Sequence, residues 1–122
     1  MSSLKDRLFD LEEGFWEGDA EFYRLNADDQ CLVAFPGMID VLEREALAQT
    51  VNPDTRWKNV SFSNERLLCP SPTIAVIAYE AQAQQGDGEP RLSSVSSGYI
   101  ERDGKWKLAW HHHTPLGKRE ER

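Results

Sequence analysis

Apolar residues near the start of the chain recur at helical spacing. They are Leu4, Leu8, Leu11 and Phe15, at intervals of four, three and four positions. These intervals place them on one face of an α-helix, and Ser3 just before them is a typical N-cap residue. The pattern predicts an amphipathic first helix.

The pattern then shortens and changes period. Asp19 is placed to cap a second short helix that carries Phe22 and Tyr23. From residue 31 apolar positions alternate up to Pro36-Gly37, which favours a small hairpin over residues 31–40. The acids and apolar residues of 43–51 predict a third helix that ends before Pro53.

Four long extended segments follow. They cover residues 57–69, 73–84, 91–101 and 105–114. Turn-forming residues separate them, including Asp103-Gly104, which is typical of a tight hairpin. The order predicts an α+β fold in which a curved antiparallel sheet wraps around the helices. We expect one domain over residues 1–122, with a core from about 4 to 116 and a charged tail at 117–122.

Strand alternation assigns the residues of the last segment to two faces. The expected inward set is Trp106, Leu108, Trp110 and His112. The expected outward set is Lys107, Ala109, His111 and His113. An inward His112 would serve as an acid, a base or a hydrogen-bond donor in a pocket, or as a hydrogen-bonded histidine at the core edge. His111 and His113 would chelate a metal only with a third ligand, so we predict no metal site and a surface or interface role for both.

Small residues along 93–97 leave space beside the bulky aromatic rows, either for a ligand or for a large side chain. The candidate ligand-binding residues are Tyr23, Trp57, Ser94, Ser96, Trp110 and His112. The candidate acids for catalysis are Asp40 at the hairpin end and Glu80 in mid-strand, each with an ordinary structural alternative.

Charge and composition exclude several classes of function. The 21 acidic residues outnumber the 14 basic ones, and the net charge of −7 would repel a nucleic acid backbone. No apolar run is long enough to cross a membrane and the N-terminus has no signal-peptide pattern, so we expect a cytoplasmic protein. Cys31 and Cys69 are expected to be free, buried thiols. No phosphate-binding loop or nucleophile elbow is present, and we predict no cofactor.

Two segments carry a resemblance to a known family. Residues 13–20, EGFWEGDA, and residues 98–108, GYIERDGKWKL, together with the His-bearing last strand, resemble the SnoaL-like, nuclear transport factor 2-like superfamily, and in particular its stand-alone uncharacterised domains. The resemblance implies a cone whose open end binds a small molecule, and a homodimer formed through the outer sheet face. Members include ketosteroid isomerases, polyketide cyclases and dehydratases. Their inward Asp, Tyr and His residues correspond to Asp40, Tyr23 and His112.

Three functions follow as hypotheses. The first is a homodimeric domain that binds a hydrophobic small molecule. The second is an isomerase, cyclase or dehydratase that acts on a hydrophobic carbonyl substrate by acid-base catalysis, with His112, Asp40 and Tyr23 as catalytic residues. The third is a protein-interaction module that uses the sheet face bearing His111 and His113.

Overall fold

The computed structural model describes residues 3–117, and the remainder of the predicted tail, 118–122, lies outside the described residues. The α-helices are α1 (Leu4–Glu17), α2 (Ala20–Asn26) and α3 (Arg44–Gln49), with a short 3₁₀ helix at Pro53–Thr55. The strands are β1 (Ala27–Phe35), β2 (Met38–Glu43), β3 (Trp57–Ser71), β4 (Ile74–Gln85), β5 (Arg91–Arg102) and β6 (Lys105–Gly117).

The strands form one curved, open sheet in the order β2-β1-β6-β5-β4-β3. Strands β3 to β6 pair as the predicted antiparallel meander, and β1 pairs with β2 in the predicted hairpin. The predicted α+β fold is confirmed. The pairing of β1 with β6 is parallel, which joins the hairpin to the meander in one sheet.

Helices α1 and α2 begin where the sequence predicts. The Ser3 side chain accepts from the amide of Asp6 at 3.1 Å, and the Asp19 side chain accepts from the amide of Phe22 at 3.0 Å. Helix α3 starts later than expected because the β1–β2 ladder continues as far as Glu43. Within residues 3–117, no helix combines the length and the apolar character that a bilayer crossing requires.

We call the sheet face that packs against the helices the inner face, and the opposite one the outer face. The buried apolar residues of the sheet on the inner face include Cys31, Val33, Ile77, Tyr79, Val95, Tyr99 and Leu108. From α1 they are covered by Leu8, Phe9, Phe15 and Trp16. Both cysteines are free, but only Cys31 is buried. The prediction for Cys69 was wrong because it lies on the edge strand β3, where it is exposed.

A β-bulge in β6 exchanges the two faces of the last strand. Tyr99 pairs with Leu108, but Gly98 pairs with Trp110, so Ala109 has no partner on β5. The extra residue moves the side chains that follow, as far as Pro115, to the opposite face. Trp106 and Leu108 pack on the core as predicted. The alternation beyond the bulge is the reverse of the prediction.

Candidate functional site

A buried carboxylate stands at the centre of the inner face. Glu12 of α1 has no solvent exposure, and Oε1 accepts hydrogen bonds from the Tyr79 hydroxyl at 2.5 Å and from the Ser97 hydroxyl at 2.8 Å. Its Oε2 accepts from the Tyr99 hydroxyl. Glu12 reaches this place because it follows Leu8 by four positions and precedes Phe15 by three, on the apolar face of the helix. We call Glu12, Tyr79, Ser97 and Tyr99 the Glu12 cluster.

The environment of the Glu12 cluster favours the protonated forms of its carboxyl and phenol groups. Burial raises the pKa of Glu12, although the hydroxyl hydrogen bonds act to lower it. Burial and the neighbouring carboxylate raise the pKa of both Tyr79 and Tyr99 well above the ordinary value. The indole N–H of Trp16 donates to the Tyr79 hydroxyl at 2.9 Å, so Tyr79 must direct its own proton to Glu12.

Ser97 connects the Glu12 cluster to a histidine. Its hydroxyl lies 2.8 Å from Nδ1 of His111, and this Nδ1 is 3.8 Å from Oε1 of Glu12. Nε2 of His111 has no hydrogen-bond partner in the described part of the chain, and it is not fully buried. Burial lowers the pKa of His111 to about 4, with a further contribution from His112, so the imidazole is neutral near pH 7.

A cavity of about 120 Å³ adjoins His111. It is lined by Phe15, Trp16, Tyr23, Cys31, Val33, Phe35, Leu47, Thr50, Arg56, Trp57, Leu108, His111 and His113. Most of this wall is aromatic or aliphatic. The Nε2 atom of His113 lies 2.8 Å from the Ser93 hydroxyl, and burial lowers the pKa of His113 to about 4. The cavity therefore presents two neutral imidazoles among apolar rings.

Arg56 adds a charge to this wall. Its Nη2 donates to the carbonyl of Phe15 at 2.7 Å, and the Tyr23 hydroxyl donates to the same carbonyl at 2.5 Å. The guanidinium carbon lies 5.8 Å from the centre of the Tyr23 ring. Nε of Arg56 is buried and has no hydrogen-bond partner among the described residues, an arrangement that costs roughly 1–3 kcal/mol for a typical group.

The structure brings some of the predicted site residues to the cavity. Tyr23 and Trp57 line it, and their contact with a ligand stays a prediction. Burial raises the pKa of Tyr23, although the charge of Arg56 opposes the shift. The Tyr23 hydroxyl is already engaged with a backbone carbonyl, so its catalytic role also stays a prediction.

Four predicted ligand-binding residues lie on the outer face instead. They are Ser94, Ser96, Trp110 and His112. Ser93 and Ser97 take the inward positions on β5, so Ser94 and Ser96 point away from the cavity. The bulge at Ala109 turns Trp110 and His112 outward, which makes their predicted inward orientation wrong.

The predicted outward orientation of His111 and His113 was also wrong, because both line the cavity. Asp40 is exposed on the edge strand β2, where its carboxylate accepts from the Val41 amide at 2.8 Å, and it is not among the cavity residues. Glu80 is half-buried and accepts from the Asn64 side chain at 3.0 Å. Neither acid lines the cavity, and a catalytic role for either stays a prediction.

Sequence reasoning missed Glu12 altogether. Its signal was an acid inside an apolar helical stripe, since Glu12 shares a face with Leu8 and Phe15. A charged residue at such a position needs partners, and tyrosines on the facing strands were available. His111 was missed for another reason, because no local pattern marks the bulge at Ala109. Within residues 3–117, no group of three or more His, Cys, Asp or Glu residues is arranged to hold a metal ion.

Comparison by sequence finds no match to a protein family model and none to a curated protein. Comparison by structure finds many. A nuclear transport factor 2-like protein of unknown function from Prochlorococcus sp. NATL2A superposes with a TM-score of 0.78 at 18% identity, over 98% of this chain and 97% of that one. A proposed ketosteroid isomerase from Parabacteroides distasonis gives 0.75 at 15% identity, over 94% and 89%.

A third similar structure is the CaMKII hub homology domain of Chlamydomonas reinhardtii, with a TM-score of 0.74 at 16% identity over 95% of this chain and 99% of that one. At these identities the likeness concerns the fold, because one fold hosts many unrelated functions. The resemblance inferred from the sequence is confirmed at that level: the chain has the nuclear transport factor 2-like fold.

Proposed function

We propose that this domain binds a small molecule with one apolar ring in the cavity. The observation that carries the proposal is the coincidence of apolar rings with unpartnered polar groups in one wall. A dry engineered cavity of about 150 Å³ is sufficient for benzene. At about 120 Å³ the present cavity is close to that size, so it suits a single ring better than a steroid-sized molecule.

The polar groups favour a ligand with a hydrogen-bonding end. His111 offers Nε2, while its other nitrogen is held by Ser97. Arg56 offers N–H groups that the described residues do not use. Ligand sites commonly combine a mostly apolar lining with a few such polar groups, which fix the orientation of the ligand.

A variant that blocks the cavity tests this proposal. Thr50 lines the cavity yet is exposed, so Thr50→Trp places an indole at the opening, with the loss of the hydrogen bond from the Thr50 hydroxyl to the Leu47 carbonyl. A library of single-ring compounds should contain ligands that raise the melting temperature of the wild-type protein. At a concentration of about 100 times Kd, a ligand adds about 2.7 kcal/mol to the free energy of unfolding.

Gln49→Trp provides the matched control, because Gln49 is exposed and next to Thr50 but does not line the cavity. The proposal requires that Thr50→Trp abolishes the thermal shifts and that Gln49→Trp retains them. A library without hits, or hits that both variants bind equally, contradicts binding in the cavity.

A second candidate function is acid-base catalysis on a carbonyl compound, with His111 in place of His112. The chain of contacts from Glu12 through Ser97 to His111 favours it. With Glu12 ionised, Ser97 donates to Glu12 and Nδ1–H of His111 donates to Ser97. Nε2 then carries the lone pair and is the base.

Proton transfer through this chain balances. When Nε2 takes a proton from a carbon next to a carbonyl, the Nδ1 proton passes to Ser97, and the Ser97 proton passes to Oε1 of Glu12. His111 stays neutral throughout, and Glu12 becomes a neutral acid, which its raised pKa favours. The reverse transfer would return a proton to another carbon of the substrate, which amounts to an isomerisation.

Hydrogen exchange on a simple ketone tests this candidate. Acetophenone in D₂O should exchange its methyl protons faster with the wild-type protein than without it, as followed by proton NMR. His111→Gln should remove on the order of a hundredfold of that acceleration. His112→Gln is the control, because His112 is exposed on the outer face. Exchange that persists in His111→Gln rules out His111 as the base.

We also propose that the domain forms a homodimer through the outer face. One row of apolar residues crosses all six strands there, in register: Val41, Leu32, Trp110, Gly98, Val76 and Leu68. Leu68 is 65% exposed and Val41 is 53% exposed. A contiguous apolar row of this kind is typical of an interface.

Light scattering over a dilution series tests the dimer. Leu68→Glu in each copy should shift the protein to a monomer, whereas Glu65→Gln on the same strand should leave the assembly unchanged. A wild-type monomer at every concentration contradicts the dimer. It would favour the alternative of an interaction module in which the same face binds a different protein.

A further inference from the structure

The cavity wall contains a cation that the fold leaves incompletely paired. Arg56 has five N–H donors, and in the described part of the chain they form one hydrogen bond, from Nη2 to the Phe15 carbonyl. Nε is buried and has no hydrogen-bond partner among the described residues. Among the described residues Nη1 has no partner either, and it is not fully buried, so it is open to a ligand.

Two other arginines of the same chain show what such a group binds when an anion is available. Arg24 holds the Glu45 carboxylate with Nε and Nη2 at 2.8 and 2.9 Å. Arg102 holds the Asp28 carboxylate in the same way at 2.6 and 3.0 Å. Arg56 has no carboxylate within 4.0 Å among the described residues. Its counter-charge is therefore not supplied by this part of the fold.

The other residues of the cavity do not supply it. Arg56 is the one Asp, Glu, Lys or Arg residue among the described residues that line the cavity. The two histidines there are neutral near pH 7, because burial lowers the pKa of each to about 4. The cavity thus joins an apolar volume to a single positive charge, held by the Phe15 carbonyl and the Tyr23 ring.

We propose that the ligand of the cavity is a small organic monoanion, an apolar ring bearing one carboxylate, with the carboxylate bound by Arg56. Nη1 makes the contact with the carboxylate, while Nη2 keeps its hydrogen bond to the Phe15 carbonyl. A charge-assisted pair in a partly buried, apolar surrounding is stronger than a neutral hydrogen bond. This inference rests on the proposed binding function and specifies the chemistry of the ligand.

The experiment compares benzoate with benzamide, two molecules of equal size that differ in charge. Affinities are measured by chemical-shift titration of ¹⁵N-labelled wild-type protein at low ionic strength, with benzene as the neutral ring. Benzoate should bind about tenfold more tightly than benzamide, the difference expected for a hydrogen bond to a charged group. The resonances that shift should be those of the cavity residues.

Variants assign the preference to Arg56. Arg56→Gln should bring the ratio of the two affinities to about one, and Arg56→Lys should retain part of it, since lysine keeps the charge but not the planar fork. Arg66→Gln is the matched control. It removes the same charge from an exposed arginine that does not line the cavity, and it should leave the ratio unchanged.

The outcomes separate the inference from the function on which it rests. Equal binding of benzoate and benzamide in the cavity overturns the anion inference and leaves small-molecule binding intact. A benzoate preference that survives in Arg56→Gln overturns the assignment to Arg56. No cavity shifts with benzoate, benzamide or benzene overturn both proposals. If Arg56→Gln does not fold, the ratio of benzoate to benzamide affinity in the wild type and in Arg56→Lys still tests the inference.

Discussion

Two polar groups on the inner side of the sheet differ in how completely the fold satisfies them. The Glu12 carboxylate is fully buried and accepts three hydroxyl hydrogen bonds. The Arg56 guanidinium is half-buried and donates one hydrogen bond among the described residues, with Nε left unpaired. A satisfied buried group contributes to the definition of the core, whereas an unsatisfied one in a cavity wall is available to a ligand.

Removal of the Glu12 carboxylate should have the largest effect on the stability of the protein. Glu12→Ala should lower the free energy of unfolding by about 3–5 kcal/mol, because it leaves a void and removes the acceptor of three hydroxyls. Glu12→Gln keeps the shape and one acceptor and should cost less. Urea unfolding measures both, with Glu13→Ala on the exposed side of the helix as control. Equal stability of Glu12→Ala and the wild type would contradict a structural role for the cluster.

We expect a lower pH to reduce the free energy of unfolding through the two histidines of the cavity wall. The pKa of His111 falls from 6.5 to about 4 on folding, so the folded state binds fewer protons and loses stability as pH drops from 6.5 to 4. The loss is about 3 kcal/mol for this residue. Burial lowers the pKa of His113 in the same direction. Glu12 acts in the opposite direction above about pH 4.5, because its raised pKa favours the folded state as pH falls.

Urea unfolding at several pH values measures the sum of these effects. The double variant His111→Asn with His113→Asn should show a flatter profile between pH 4 and 6.5 than the wild type does. Substitution of the exposed His112 by Asn is the control. If the double variant keeps the full loss of stability at low pH, the loss does not come from His111 and His113.

The link between the Glu12 cluster and the cavity is tested by Ser97→Ala. The variant should cost about 1–3 kcal/mol, because Glu12 loses a donor and Nδ1 of His111 loses its partner. It should also change the tautomer of His111, which ¹⁵N NMR of the ring reports directly. Ser96→Ala on the outer face is the control. An unchanged tautomer would mean that Ser97 does not position the imidazole.

The smallest expected effect on stability distinguishes Arg102, which is paired with a carboxylate, from Arg56, which is not. Arg102→Gln breaks the pair with Asp28 and should lower the melting temperature, since it removes the cation that holds the pKa of Asp28 below its ordinary value. Arg56→Gln removes a guanidinium with an unpaired N–H and should lower the melting temperature less, or raise it. The reverse order would indicate that Arg56 is a structural residue.

The sequence pattern is sufficient to predict the helices, the strands and the turns between them. The four long strands lie within a few residues of the predicted ranges, because turn-forming residues separate alternating apolar runs. Asp103 and Gly104 both adopt positive φ, as the predicted tight hairpin requires. Ser3 and Asp19 cap the helices they were expected to cap. These features depend on neighbours in sequence, so local physical chemistry is sufficient to predict them.

Which side chains meet depends on how the strands pair and pack against the helices. One unpaired residue, Ala109, reverses the faces of the last strand and brings His111 to the cavity in place of His112. A bulge is set by how two strands fit together, and one strand's pattern does not reveal it. Glu12 likewise gains its role from Tyr79, Ser97 and Tyr99, which lie more than 60 positions away. Contacts between residues so far apart in the chain depend on how the helix and the strands pack. The sequence pattern alone does not reveal which of these side chains will meet.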